Sequence, residues 1–277
     1  MTFKIAPFTT IDGIGAASGL VFNDKNLFII GDNSGFLFQY NIQNSNLLKH
    51  PLVDNASDSI IKKDKPDFES ITLHEDKLLI FGSGSTKKRE NRVKFDLKNQ
   101  ETSTKDISKL YGKLKQKANF TDDDLNIEGV FYFNNNQYYV NRGNSQTAPN
   151  GIFVYNKEFD NVFFKSFELP IINQVMVSFT DAICHKNKIY FLACAENTTD
   201  TYNDGEIYGS VFGIIDLLTF EIEKTIQITD NQKFEGLTIY SEQENEINFL
   251  LCEDNDTEDL QSTIYQLTIN KNHEFEL

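Results

Sequence analysis

The sequence predicts an all-β fold, a five-bladed β-propeller with one short helical insertion between blades two and three, and three observations carry that prediction. A short motif recurs five times: an oxygen-bearing side chain, then a small or polar residue, then an apolar strand. Its copies follow one another at steps of 51, 59, 52 and 55 residues, a period that fits one blade of several short strands. The aromatic content is 24 Phe and 11 Tyr with no Trp, a composition that packs well on pleated faces.

The five copies are Ser18-Gly19-Leu20-Val21-Phe22, Glu69-Ser70-Ile71-Thr72-Leu73, Glu128-Gly129-Val130-Phe131-Tyr132, Thr180-Asp181-Ala182-Ile183-Cys184 and Glu235-Gly236-Leu237-Thr238-Ile239. Each opens the innermost strand of a blade. Alternation and turn residues divide the rest. Blade one is expected over Gly19–Phe22, Leu27–Ile30, Phe36–Ile42 and Leu47–Val53. Blade two takes Ser70–Leu73, Leu78–Phe81 and Arg92–Leu97, with an outer strand that the pattern does not define. Blade three takes Gly129–Phe133, Tyr138–Asn141, Gly151–Tyr155 and Val162–Leu169. Blade four takes Asp181–Cys184, Ile189–Ala193, Val211–Asp216 and Glu221–Ile228. Blade five takes Gly236–Tyr240, Ile247–Cys252 and Thr263–Ile269. Its outer strand could come from Phe3–Phe8 or His273–Leu277. The first is favoured, because closing the ring removes an exposed edge and gives Met1–Thr10 a role.

The segment Asp106–Ala118 breaks the β pattern. Ile107, Leu110, Tyr111 and Leu114 recur at helical spacing, and Thr104 or Asp106 could cap the start. A structural insertion and a lid over a site are both open readings of it. No linker-like stretch interrupts the repeat, so residues 1–277 are expected to form a single domain.

A net charge of −15 disfavours nucleic acid polymers and anionic membranes as partners. Cys184, Cys194 and Cys252 are too few and too irregular for a disulfide framework or a zinc site. The N-terminal segment lacks the apolar core of a leader, and no run is long enough to span a bilayer. Cytoplasmic placement with reduced thiols is the expectation.

Blade connections alternate between two faces, so Ser18, Glu69, Glu128, Thr180 and Glu235 should form an inner ring at one mouth of the channel. The loops after the second strands should form a second ring. Asp32, Ser83 and Arg142 each lie 14 residues beyond their inner-ring residue, whereas Glu196 and Glu253 lie 16 and 18 beyond theirs. Asn33, Ser85, Asn144 and Asp254 accompany them. Three carboxylates on one axis raise one another's pKa values. Protonation, a basic neighbour or a metal ion would relieve them, and an oxygen-only set suits a hard cation such as Ca²⁺. The alternative is a hydrated acidic channel. Basic residues gather on the same loops: Lys62, Lys63 and Lys65 before Glu69, then Lys87, Lys88, Arg89 and Arg92, and Arg142 on blade three. Together they suggest a small anionic ligand bridged by the metal. The run Gly82-Ser83-Gly84-Ser85-Thr86 is not a P-loop, since no Lys follows at the required spacing. His50, His74, His185 and His273 fall outside both rings, which argues against a Ser-His-Asp triad.

The inner ring resembles that of the soluble calcium-activated nucleotidases (apyrases), five-bladed propellers with a central Ca²⁺. The Glu-Gly-Leu and Glu-Ser-Ile strand openings also look like the esterase-like phytase propellers. The segments KKDKPDFESITL, FGSGSTK, NIEGV and RGN resemble, over the whole chain, a family of uncharacterised bacterial propeller proteins. The resemblance implies the fold and a cation held by Ser18, Glu69, Glu128, Thr180 and Glu235, with Thr180 standing where the nucleotidases have Ser.

Two functions compete. One is metal-assisted hydrolysis of a phosphate-bearing substrate: Asp32, Ser83, Lys87, Arg89, Arg142, Asn144 and Glu196 would hold the ligand, and Glu128, Glu235 or Glu253 would act as base. The other is a non-catalytic propeller that binds a ligand or a protein, with a structural metal or none.

Overall fold

The computed structural model describes residues 2–144, 147–198, 205–255 and 260–271. Five four-stranded antiparallel sheets are arranged around a ring. The chain begins with strand β1 (Phe3–Asp12). Blade one then runs β2 (Gly19–Asn23), β3 (Asn26–Ile30), β4 (Phe36–Asn41) and β5 (Asn46–Pro51). Blade two runs β6 (Phe68–His74), β7 (Lys77–Gly82), β8 (Asn91–Asp96) and β9 (Thr102–Asp106), and helix α1 (Ser108–Ala118) follows it. Blade three is β10 (Ile127–Phe133), β11 (Asn136–Asn141), β12 (Gly151–Asn156) and β13 (Asn161–Ser166). A two-stranded hairpin, β14 (Ile171–Ile172) and β15 (Val175–Met176), leads into blade four: β16 (Ser178–His185), β17 (Lys188–Asn197), β18 (Glu206–Asp216) and β19 (Ile222–Gln227). Blade five is β20 (Lys233–Glu242), β21 (Glu246–Asp254), β22 (Gln261–Asn270) and, as its outer strand, β1.

The innermost strands β2, β6, β10, β16 and β20 neighbour one another in that order, and β20 returns to β2. Pairing of Phe3 with Ile269 through Asp12 with Gln261 closes the ring with the N-terminal strand, as expected for Phe3–Phe8. The rival segment His273–Leu277 lies outside the described residues. The outer strand that the pattern left undefined is β9. Its sequence TSTKD is exposed throughout, so no apolar alternation marks it.

The apolar interior is divided into five clusters, one between each pair of neighbouring blades. Ile30 and Phe68 meet in the first, Phe81 and Tyr139 in the second, Val140 and Phe191 in the third, Phe212 and Phe249 in the fourth, Leu20 and Cys252 in the fifth. Each blade therefore presents one apolar face to each neighbour, and the ring is held by sheet-on-sheet packing.

Helix α1 is part of this packing. Tyr111 and Leu114 are fully buried in the cluster between blades two and three, and the Tyr111 hydroxyl donates to the Gly82 carbonyl at 2.8 Å. Asp106 serves the helix start by accepting from the Ser108 amide at 2.8 Å, while Thr104 lies within β9. Asn119 ends the helix in the left-handed region, φ 58. The helix is a wedge between blades.

Candidate functional site

The inner-ring residues share one backbone device. In β6, β10, β16 and β20 the strand register slips at Glu69, Glu128, Thr180 and Glu235. A bulge of this kind takes one residue out of the pleat and re-aims its side chain. Blade one reaches the same place differently: Ser18 stands just before β2, and its amide donates to the Ile30 carbonyl at 3.0 Å.

The residue after each bulge is small because the innermost strands nearly touch. A Cβ on Gly236 would lie 2.9 Å from the Gly19 Cα, and one on Gly129 would lie 2.8 Å from the Ala182 nitrogen. Asp181 occupies the equivalent place in blade four. It is tolerated there because its carboxylate accepts the Ala182 and Leu237 amides, both at 2.7 Å. The Glu-Gly signature is thus a packing requirement followed by a re-aimed carboxylate.

Glu69, Glu128 and Glu235 converge. Burial pushes the Glu69 carboxyl well above its usual range, and Asp67, Glu128, Asp32 and Glu235 push it the same way. Burial also raises Glu128 and Glu235, although Arg142 and Lys233 pull Glu128 back and Lys233 pulls Glu235 back. The two remaining ring residues turn elsewhere. Ser18 Oγ donates to the Phe68 carbonyl at 2.5 Å, and Thr180 Oγ1 donates to the Phe234 carbonyl at 2.6 Å. Each hydroxyl clamps the residue that precedes a glutamate of the next blade.

On the side of blades three to five the carboxylates are interlocked with two buried cations. Arg142 donates through one terminal nitrogen to Glu128 at 3.4 Å and through the other to Glu196. Asn126 adds a 2.8 Å bond to Glu128. Lys233 lies 2.9 Å from both Glu235 and Asp254 and 3.8 Å from Glu196. Burial opposes the charge on Lys233, but Glu235 and Asp254 outweigh it and hold the ammonium protonated. Arg142 and Lys233 also hold the Glu196 carboxyl below its usual range, against its burial.

On the side of blades one and two, Asp32, Asp67 and Glu69 bring one carboxylate oxygen each within 4.8 Å of the others. Asp67 has φ 55, a conformation that Asp tolerates, and its amide donates to the Asp32 carbonyl at 3.0 Å. Lys65 spans Asp32 and Asp67, the second at 2.9 Å. Arg89 pairs with Asp67 at 2.9 Å, and Ser83 donates to the same carboxylate. Half-buried Glu69 accepts no hydrogen bond and makes no ion pair among the described residues.

The residues of the expected second ring are divided between the two sides. Asp32, Ser83 and Arg89 gather on the first side, Arg142 and Glu196 on the second. Lys87 is exposed on a 3₁₀ turn, outside both sets. Asn144 follows Arg142 on the loop after β11. Glu253 accepts from Gln232 at 3.1 Å, and the Tyr265 hydroxyl lies beside it. Its neighbour Asp254, expected in the second ring beside it, is the residue that meets Lys233. An additional register slip between Cys194 and Glu196 accounts for the irregular step in blade four. Sequence reasoning did not single out Asp67, Asn126 and Lys233 as site residues. Each lies two positions before a ring glutamate, in Asp67-Phe68-Glu69, Asn126-Ile127-Glu128 and Lys233-Phe234-Glu235, and that shared offset was the available signal.

The oxygen-only set on blades one and two fits a hard cation in donor chemistry. No helix among the described residues is long and apolar enough to cross a membrane. A family model described as Family of unknown function (DUF6929) matches residues 13–269, and the chain belongs to that family. No curated protein matches the sequence. Among solved structures, a chain from a crystal structure of a nidogen/laminin complex is similar at 8% identity and a TM-score of 0.47, covering 86% of this chain and 74% of that one.

Proposed function

We propose that this DUF6929 propeller is a binding module whose channel mouth holds a hard divalent cation, calcium the first candidate, at Asp32, Asp67 and Glu69. One observation carries the reading: Glu69 is a carboxylate re-aimed by a bulge, lacking a hydrogen-bond donor or ion-pair partner, beside two further carboxylates. Such a group stabilises a bound cation more than it stabilises the protein alone. The bound ion supplies positive charge to the mouth, where a small phosphate-bearing anion would also meet Arg89 and, at the rim, Lys87. This is the ligand class that the likeness to calcium-activated nucleotidases and phytase-like propellers suggests.

Binding is better supported than hydrolysis. A general base needs a free lone pair directed at the substrate. Glu128 and Glu235 are engaged by Asn126, Arg142 and Lys233, and Glu253 is engaged by Gln232. A second reading, a module without metal, rests on Lys65 and Arg89, which already act as counter-ions to Asp32 and Asp67.

Thermal unfolding with calcium and with EDTA separates the two. At a hundredfold excess of ion over its Kd, stability should rise by about 2.7 kcal/mol, and Glu69→Gln should abolish the rise. No calcium-dependent change in the melting temperature overturns the cation and leaves the metal-free module. A panel of nucleotides and phosphoesters should release no phosphate above a Glu128→Gln control.

A further inference from the structure

A cleft of about 290 Å³ lies beside the channel where blades three and four meet. Arg142, Asn144, Ser178 and Glu196 line its polar side, and Val175 and Met176 of the β15 strand line its apolar side. Two polar atoms in this wall lack partners: Arg142 Nε, a donor, and Asn144 Oδ1, an acceptor. Arg142 is only 7% exposed. Its two terminal nitrogens are taken by Glu128 and Glu196, so Nε is the one direction left to it. Buried donors and acceptors are nearly always paired, and an orphan of each kind in one cleft asks for a ligand that answers both.

We infer that this cleft binds a neutral carboxamide, its carbonyl oxygen accepting from Arg142 Nε and its N–H donating to Asn144 Oδ1. Charge selects the neutral ligand. The two cations here, Arg142 and Lys233, are already shared among Glu128, Glu196, Glu235 and Asp254, so neither is left to pair with a carboxylate ligand. Met176 is 48% exposed and gives the apolar part of the ligand a surface. Both orphan atoms are closed to solvent without a ligand, so carboxamide binding requires the cleft wall to open. The cleft shares no lining residue with the cation site on blades one and two.

The arginines supply a direct test. The chain has three, Arg89, Arg92 and Arg142, so the ¹⁵N spectrum of Arg Nε–H groups holds three resonances, assigned with Arg89→Lys and Arg92→Lys variants. Propionamide and nicotinamide should shift the Arg142 resonance saturably, with or without EDTA. The isosteric propionate and nicotinate should bind at least about tenfold more weakly, a difference of roughly 1.4 kcal/mol. Asn144→Leu should weaken the carboxamides by a similar factor and leave the Arg89 and Arg92 resonances in place, which shows that the variant is folded. An Arg142 resonance that no carboxamide moves means that the orphans are answered by water alone and overturns the proposal. Carboxylates binding as tightly as amides overturn it equally.

Discussion

The two sides of the channel mouth begin from the same backbone and end in different chemistry. Glu69 on blade two and Glu235 on blade five both stand at a bulge, both follow a clamped phenylalanine, and both are raised above the usual carboxyl range. Two positions upstream, however, blade five has Lys233 and blade two has Asp67. That one difference gives Glu235 a cation at 2.9 Å and gives Glu69 another carboxylate. A partnered buried carboxylate holds neighbouring blades together, whereas one beside like charge is available to an ion from outside. The same device therefore serves architecture on one side and recognition on the other.

The strongest way to break this comparison is to remove the partner. Lys233→Met should take away the cation 2.9 Å from buried Glu235 and cost about 3–5 kcal/mol in urea unfolding. A loss below about 1 kcal/mol would mean that the two sides do not differ as described.

The clamping hydroxyls come next in size. Ser18→Ala and Thr180→Val each strand one buried carbonyl and should each cost about 1–3 kcal/mol. The two variants should diverge in calcium titrations followed by melting temperature. Only Ser18→Ala, which loosens the residue before Glu69, should weaken the ion. Equal weakening by both would place the ion on the shared axis.

Glu69→Gln should act with the opposite sign. Removing a charge beside Asp32 and Asp67 should raise metal-free stability by on the order of 1 kcal/mol. A loss on urea unfolding would show that the Glu69 carboxylate has a stabilising partner after all.

The smallest effect is at the far end of β20, where Glu242 pairs with Lys186, His185 and Lys271. Hydrogen bonds from Lys186, Lys271 and His185 hold its carboxyl down at about 2, against an ordinary 4.5. A depressed carboxyl contributes stability that is complete above the unfolded value and lost as pH falls from 4.5 toward 2. Solvent screening keeps this contribution small. Glu242→Gln should flatten the acid limb of the stability curve slightly and leave neutral pH nearly unchanged.

Much of the molecule was legible before any coordinates. The repeat spacing depends on blade length, and the Glu-Gly pair depends on how closely innermost strands approach, so both are written in local sequence. The outer strand β9 was not legible, because an edge strand with no buried face needs no alternation. The helix was legible through Tyr111 and Leu114, since burial demands their spacing. In blade five the sequence admits both Glu253 and Asp254 to the second ring, and the bulge between Phe234 and Gly236 decides which of the two reaches Lys233. Partner choice in the channel was hidden for a deeper reason. Whether Lys65 bridges Asp32 or Lys233 meets Asp254 depends on loops from two strands arriving at one point, and no single stretch of sequence encodes it.

The repeated bulge also separates evolvable positions from fixed ones. A residue displaced from the pleat contributes nothing to the apolar contacts between blades, so where it also has no polar partner, as at Glu69, its identity can change while the ring stays assembled. Such sockets occur on blades two to five, and the unpartnered one on blade two is where substitution would yield a new pocket on an unaltered frame.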